Sequence, residues 1–592
     1  MIYLWAMRAR APYAFGCLLA AAFVAYRMYA LAGAQQLWGY LPLFLYLFAW
    51  AGGALLLTAR STPAVRRRFL CSTATGFLLG FGFPGYLPVP LLLLVAWVPL
   101  FLAQREPVRA RAVFGYGLNA FLLYNILATF WVTNTAFFAG LFAVAVNSLL
   151  MCIPWMLFHW TTRVSPRVSH LAFIAFWVTF EHLHYNWSLN WPWLTLGNGF
   201  AQFPSLVQWY EASGVLGGSV WILAVNWLAL RYYTAARPRR FPYYLAAAVL
   251  LPPGYSLLRY VTYAPPPGET ITVSAIQPNF EPHYEKFTGG REEQLNVFLG
   301  LSRSALAASP APVDYLVFPE TSFSGVDEGD PGSAPALVAL RDALPAENLR
   351  YLVTGFQGYH RFAPGEAPTA AVRYYPDRDG SEVALEVLNA ALQLDLRSGD
   401  LQTYRKGVFV PGAESFPFRR ALFFLEPLVA SLGGTTAGLG TQPRRTPLRG
   451  ERAAVAPVIC YESVFGEYFT GYVRQGAQAA FVVTNDGWWD NTAGHRQHLW
   501  FASLRAIETR RAIVRSANMG ACAFIDQRGR IESRTYYGER GYLNGQLRLN
   551  DAVTPYVRFG DLTARVAMLL AVMALLSNVA RTLRRRAGAL PN

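Results

Sequence analysis

A chain of 592 residues that is 54% hydrophobic and only 15% charged is too apolar for an ordinary soluble protein, so membrane spans are expected. Its net charge of +16 sits in short arginine clusters between apolar stretches rather than in one basic face, which argues against a nucleic-acid binder. Five cysteines, with only Cys460 and Cys522 beyond residue 262, exclude a disulfide framework.

In chain order, spans are expected at 12–33, 38–58, 69–84, 87–104, 112–133, 137–158, 169–187, 215–233 and 241–262, with a closing span at 562–580. The first is longer than the apolar core of a cleaved leader and is followed closely by the second, so it reads as a retained helix. Arginines cluster at Arg8 and Arg10, at Arg60 with Arg66, Arg67 and Arg68, at Arg105, Arg109 and Arg111, and at Arg163 and Arg167. Further clusters are Arg231, Arg237, Arg239 and Arg240, then Arg581 with Arg584, Arg585 and Arg586. These positions alternate between span ends. The positive-inside bias makes them cytoplasmic, which puts both termini inside and residues 263–560 outside, in the periplasm of a cell with a cytoplasmic (inner) membrane. Near the end of the seventh span, Trp187, Trp191 and Trp193 read as an interfacial belt for His182 and His184. Glu181 is a candidate lipid contact, because a carboxylate at membrane depth is costly without a role.

After the Ala-Pro-Pro-Pro-Gly linker (264–268), strands are expected at 271–277, 315–320, 351–356, 390–396, 455–460, 480–485, 512–516 and 522–526. Helical patterns fall at 291–308, 334–345, 466–476 and 496–512. Mixed elements in this order predict a layered α/β domain with helices outside a sheet sandwich. The sequence offers no internal repeat, phosphate loop or metal-ligand spacing, so no cofactor and no metal is expected. The Gly-rich, Arg-flanked segment 433–450 reads as a mobile loop, either an ordinary surface loop or a substrate lid.

Lysine occurs only at Lys286 and Lys406, in a chain that otherwise uses arginine. Lysine supplies a compact point charge where a guanidinium fork does not fit. Lys406 lies in Tyr-Arg-Lys-Gly-Val-Phe-Val-Pro-Gly-Ala-Glu (404–414), between Phe-Pro-Glu-Thr-Ser (318–322) and Val-Ile-Cys-Tyr-Glu-Ser (458–463). Glu320, Lys406 and Cys460 thus each follow an apolar strand, and strand ends of one α/β sheet converge. A thiol attacks a carbonyl as thiolate, so it needs a carboxylate to remove its proton and a cation to stabilise the resulting anions. Glu414 and Glu462 supply two further carboxylates; on a continuing strand Glu462 points to the same side as Cys460, and the pair is expected to hold Lys406 charged. Cys522 reads as core.

These residues resemble the carbon–nitrogen hydrolase (nitrilase) superfamily through the Glu, Lys, Cys order, the Pro-Glu-Thr-Ser and Cys-Tyr-Glu contexts, and Asn485-Asp486-Gly487-Trp488. Set outside the membrane between a bundle of spans and one C-terminal span, they resemble the apolipoprotein N-acyltransferases in particular. Gly80-Phe81-Gly82-Phe83-Pro84, Trp191-Pro192-Trp193, His498, Arg505, Glu508, Arg511, Arg515 and Asn518 add to the match, which runs from about residue 69 to the end.

The resemblance implies a multispan α-helical membrane domain plus an α/β nitrilase-like (αββα sandwich) extracytoplasmic domain. Residues 1–68 become two additional N-terminal helices, 69–262 the family bundle, 263–560 the catalytic domain, and 561–592 a closing helix with a basic tail. Glu320 is implied as general base, Cys460 as nucleophile and Lys406 as oxyanion stabiliser, supported by Glu414, Tyr461 and Glu462, with Phe287, Asn485, Trp488 and Glu181 as possible substrate contacts. The implied donor is a phospholipid, typically phosphatidylethanolamine, and the implied acceptor a diacylated apolipoprotein. The chain departs from the family pattern at Lys286-Phe287, where Lys-Trp is usual, and at Pro411-Gly412-Ala413-Glu414, where Pro-Phe-Gly-Glu is usual. The same triad also suits a membrane-tethered amidase acting on a small amide, and a non-catalytic lipoprotein-binding protein is the alternative outside enzymes.

Overall fold

The computed structural model describes residues 2–59, 61–105, 108–234, 240–376, 381–427 and 438–588. Arg60, Arg237, Arg239 and residues 433–437 of the expected loop lie outside the described residues.

Six described helices are long and apolar enough to cross a membrane: Arg10–Gly33, Leu41–Thr58, Ala110–Thr129, Phe137–Val164, Tyr210–Thr234 and Leu562–Arg586. Three other expected spans are helices of 20, 18 and 22 residues, Pro63–Gly82, Ser169–Asn186 and Phe241–Thr262. Polar residues or an internal Pro252-Pro253 pair lower their apolar content. The expected span at 87–104 is not one helix. It is a 3-10 turn, Pro90–Leu94, followed by the short helix Val98–Gln104, because prolines remove the amide donors that a continuous helix needs. Leu93, Ala96, Trp97 and Leu100 are nevertheless fully buried, so this broken segment fills the bundle. Trp97 meets Trp177 edge-on with ring centroids 4.5 Å apart.

Beyond the bundle the described residues build fourteen strands: β1 (Thr270–Gln277), β2 (Val313–Val317), β3 (Phe323–Asp327), β4 (Leu349–Arg361), β5 (Arg373–Pro376), β6 (Glu382–Asp395), β7 (Leu401–Arg405), β8 (Leu448–Arg449), β9 (Ala454–Ile459), β10 (Ala479–Thr484), β11 (Ala512–Ala517), β12 (Ala523–Ile525), β13 (Ile531–Arg534) and β14 (Gly541–Arg548). One sheet runs β14-β1-β2-β4-β6-β5, with β3 beside β4 and β7 beside β6; the other runs β13-β12-β11-β10-β9-β8. Their inner faces share one core that joins Val273, Tyr315 and Val353 to Val458, Phe481 and Val514. Helices Arg291–Ala307 and Pro335–Ala343 cover the outside of the first sheet, and Gly466–Arg474 and Ala493–Thr509 that of the second. Strands buried on both faces, such as β9 and β10, read as unbroken apolar runs for this reason.

The sandwich is joined to the bundle through the Ala493–Thr509 helix. Gln497, with no exposed surface, accepts from Trp193 Nε1 (2.7 Å) and Trp131 Nε1 (3.2 Å), and donates to the carbonyls of Pro84 (2.6 Å) and Ala128 (3.1 Å). A fully satisfied buried amide fixes one orientation of the catalytic layer on the membrane layer. The described part of the 433–450 segment is also tied down. Gly440 N donates to Val387 O (2.9 Å), and Gln442 Oε1 accepts from Arg405 N (2.9 Å).

Candidate active site

Glu320 lies three residues beyond the end of β2, in a turn where Thr321 takes a left-handed φ of +49°. The turn packs on β4 only because position 355 is glycine: a Cβ there would stand 2.6 Å from Glu320 Cα. Lys406 follows β7, and its amide donates to the Asn389 carbonyl on the neighbouring β6 (2.9 Å). Cys460 follows β9 with φ +48° and opens a 3-10 turn, Cys460–Val464. Its carbonyl accepts from Ser463 Oγ (2.7 Å) and faces His498 Nε2 (3.1 Å), while His498 Nδ1 lies 2.9 Å from Asp486 Oδ1. Arg515 pairs with the same Asp486. A buried ionic network thus braces the strained main chain of Cys460 from behind.

Lys406 Nζ donates to Glu320 Oε1 (3.0 Å) and Glu414 Oε1 (2.7 Å). Asn389 Nδ2 bridges the same two oxygens at 2.8 and 3.1 Å, and Glu414 Oε2 accepts from Val410 N (2.9 Å). Lys406 and Glu320 are buried, at 1% and 5% exposure. Burial opposes the Lys406 charge, but Glu320 and Glu414 outweigh it and hold the ammonium well above its usual range. Burial likewise opposes the Glu320 charge, and Lys406, Asn389 and Lys286 hold its carboxyl below the usual range. Burial, then the Glu320 charge, push the Cys460 thiol up, while Lys406 and the Thr484 hydroxyl pull it down. The resting set is therefore carboxylate, ammonium and neutral thiol, so the proton must leave sulfur as attack proceeds.

Lys286, which motif spacing alone did not place here, also reaches Glu320. Its Nζ donates to the Glu320 carbonyl and to Thr321 Oγ1, both at 2.8 Å. Burial, partly offset by Glu320 and Cys460, brings this ammonium down to about 8. Asn389 gave no signal in the sequence, because it is one of five polar residues in the long strand β6 and nothing near it sets it apart.

Several expected contacts take other roles. Glu462 does not hold Lys406. The chain turns at Cys460, strand alternation ends, and the Glu462 carboxylate accepts from Gly407 N (2.7 Å), Ile459 N (2.8 Å) and the hydroxyls of Tyr404 (2.9 Å), Tyr468 (2.9 Å) and Tyr472 (3.1 Å). It anchors the backbone on either side of the site. Tyr461 points to the membrane layer, its ring stacked on Trp193 and its hydroxyl donating to Asn190 O (2.6 Å). Asn485 is 2% exposed; its Oδ1 accepts from Asn518 Nδ2 (3.0 Å) and Gly487 N (3.4 Å) and so pins the turn carrying Trp488, while its buried Nδ2 has no protein partner. Trp488 stacks on the half-exposed Phe287, centroids 6.0 Å apart. Glu181 is buried in the bundle, where Oε1 accepts from Trp177 Nε1 and Leu196 N, both at 2.9 Å. These two bonds are made within the protein, at 4% exposure. His184 is also buried, and its ring meets the Leu189 carbonyl at 3.2 Å. Among the described residues no group of acidic, His or Cys side chains is arranged to hold a metal ion.

Two known domain families match this chain. The apolipoprotein N-acyltransferase N-terminal domain matches residues 75–228, and the carbon-nitrogen hydrolase domain matches residues 272–554. The chain is 30% identical over 525 residues to the apolipoprotein N-acyltransferase of Chlorobaculum tepidum, spanning 86% of this chain and 96% of that one. It is 28% identical to the Geobacter metallireducens enzyme of the same name (84% and 93%) and 30% identical to that of Azotobacter vinelandii (79% and 87%). Among solved structures, Saccharomyces cerevisiae Nit3, a nitrilase-superfamily member, aligns at 15% identity over 47% of this chain and 90% of its own, with a TM-score of 0.32. The chain belongs to the apolipoprotein N-acyltransferase family, membrane enzymes built on a nitrilase-type domain.

Proposed function

We propose that this acyltransferase forms a thioester on Cys460 and uses it to N-acylate apolipoproteins, with Glu320 as general base and Lys406 as oxyanion stabiliser. The observation that carries the assignment is the geometry around Lys406 Nζ. An ammonium has three N–H donors, and here two go to Glu320 and Glu414, which leaves one for an oxyanion. Cys460 Sγ attacks an ester carbonyl of a phospholipid, and its proton passes to Glu320. The tetrahedral oxyanion is held by Lys406 and collapses, and the lysophospholipid leaves as an alcohol carrying the proton that Glu320 returns. The α-amine of a diacylglyceryl-cysteine then attacks the thioester, Glu320 takes the amine proton and passes it to the departing sulfur, and an amide-linked chain results. Two half-reactions through one covalent intermediate predict ping-pong kinetics.

Phosphatidylethanolamine is the proposed donor, and Phe287 with Trp488 the proposed apolar contact for an acyl chain. The arginine clusters support cytoplasmic termini and a periplasmic 263–560 domain in the inner membrane, with 1–68 as a two-helix addition to the 69–262 bundle and 561–592 as closing helix and basic tail. Incubating the purified protein with phosphatidylethanolamine and a diacylated lipopeptide tests the reading. The expected products are lysophosphatidylethanolamine and a lipopeptide heavier by one acyl group. Free fatty acid as the chief lipid product in the presence of lipopeptide would mark a hydrolase instead.

A further inference from the structure

A cavity of about 490 Å³ lies where the membrane layer meets the catalytic layer. Tyr185 and Asn186, at the end of a bundle helix, form one wall, and Val408 and Phe465 contribute apolar surface. Val408 is two residues from Lys406, and Phe465 is five from Cys460. Tyr468, also in the wall, donates to Glu462 Oε1 (2.9 Å), which accepts from Gly407 N (2.7 Å). The cavity therefore backs directly onto the two turns that carry the reacting residues.

The rest of its wall carries three arginines, Arg444, Arg445 and Arg474, against two acidic residues, Glu467 and Asp561. The Arg445 guanidinium lies 4.3 Å over the Tyr468 ring, donates one bond to the Pro443 carbonyl (2.8 Å), and keeps a buried Nε with no partner. Arg474 donates Nε to the Val557 carbonyl (2.7 Å). Both spend these bonds on main-chain carbonyls, not on carboxylates. The acidic residues of the wall are engaged elsewhere: Glu467 pairs with Arg565 and accepts from Asp561 N (3.1 Å), and Asp561 accepts from Tyr556 Oη (2.7 Å). Burial pushes the Asp561 carboxyl up to about 7, which reduces its negative charge further. A guanidinium fork matches phosphate oxygens in bidentate fashion, and an unpaired buried donor is expensive unless a ligand accepts from it.

We propose that this cavity is the subsite for the phosphodiester of the glycerophospholipid donor, with Arg445 and Arg474 as its ligands and Arg444 at the rim. The proposal rests on the transferase reading above. Placement at a helix end suits a headgroup, which sits at the boundary between the hydrocarbon and the aqueous domain, and Val408 and Phe465 suit the glycerol and upper acyl carbons.

The test uses the full-length enzyme in detergent micelles with two donors, phosphatidylethanolamine and the phosphate-free ester p-nitrophenyl palmitate. In the Arg445→Gln, Arg474→Gln double variant, KM for phosphatidylethanolamine should rise roughly tenfold or more, since each charged hydrogen bond is worth about one order of magnitude. Acylation by p-nitrophenyl palmitate should change far less, and Arg445→Lys should recover part of the phospholipid affinity. Equal losses with both donors, no loss with either, or a loss confined to KM for the lipopeptide would overturn the subsite. Competition by inorganic phosphate combined with an unchanged KM for lipid would also overturn it, by making the cavity a free-anion site. A wild-type protein that forms no acyl-Cys460 from either donor would overturn the transferase reading itself, and the subsite with it.

Discussion

Lys286 donates a 2.8 Å hydrogen bond to the main-chain carbonyl of Glu320, the residue whose carboxylate receives Lys406 at 3.0 Å. The two lysines of the chain therefore grip one residue from two sides, the backbone and the side chain. Lys286 adds positive charge beside a buried carboxylate and holds the left-handed Thr321 turn through its second bond, to Thr321 Oγ1 (2.8 Å).

Replacing Lys286 by Met should therefore move the pH profile of acyl-enzyme formation. Lys286 helps to hold the Glu320 carboxyl below its usual range, so its removal raises that pKa. The base is active only when ionised, and the acidic limb should shift to higher pH. Lys286→Arg keeps the charge and should keep the limb near its wild-type position. Single-turnover acylation followed across pH measures both. An unchanged limb in the Met variant would show that Lys286 acts only on the fold.

Lys406→Arg should be nearly as damaging as Lys406→Ala, with acylation slowed about 100-fold or more. Lys406 Nζ occupies a space bounded by Glu320 Oε1 at 3.0 Å and Glu414 Oε1 at 2.7 Å, with the Asn389 amide across the same two oxygens. A planar fork cannot enter that space without displacing one of them. Near wild-type acylation by the Arg variant would mean that only long-range charge matters.

Asn389→Asp should be worse than Asn389→Ala. The amide donates to Glu320 at 2.8 Å and to Glu414 at 3.1 Å, so an aspartate would bring a third carboxylate against one ammonium. Like charges raise a carboxyl pKa, which shifts Glu320 toward its protonated, inactive form. The measurement is the acylation rate of the two variants at pH 7 and at pH 9. The Asp variant should regain activity at the higher pH more than the Ala variant does.

Glu462→Ala should act on stability before chemistry. It strips the acceptor from Gly407 N, Ile459 N and three tyrosine hydroxyls at once. Buried donors left unpaired cost about 1–3 kcal/mol each, so a loss of at least ~3 kcal/mol is expected even after relaxation. A lowered thermal midpoint in detergent, with residual acylation in the folded fraction, is the expected result.

The parts of this site that were legible in the sequence are those that follow apolar strands. The expected strand at 455–460 corresponds to Ala454–Ile459 and delivers Cys460, and that at 315–320 corresponds to Val313–Val317 followed by the turn to Glu320. Periodicity failed where the backbone changes hand. Glu462 was expected beside Cys460 by strand alternation, but φ +48° at Cys460 starts a 3-10 turn that sends the carboxylate behind the site. Asn389 was invisible because nothing nearby in sequence marks it; its importance comes from β6 running antiparallel to β7, where Ala390 faces Arg405 just before Lys406. Glu181 looked like a lipid contact because its partner Leu196 N, fifteen residues away, reaches it only through the fold. The span at 87–104 was expected from apolar content alone, whereas its prolines decide the backbone.

The covalent step is the centre of this account, and intact-protein mass spectrometry after incubation with phospholipid alone tests it most directly. The wild-type chain should gain one fatty-acyl group, mapped by peptide digestion to Cys460, and should pass it to a diacylated lipopeptide added afterwards. Cys460→Ser should show no adduct, because a serine hydroxyl lacks thiolate character. An adduct on Cys522, which is fully buried, or an adduct that persists in Cys460→Ser, would contradict the assignment.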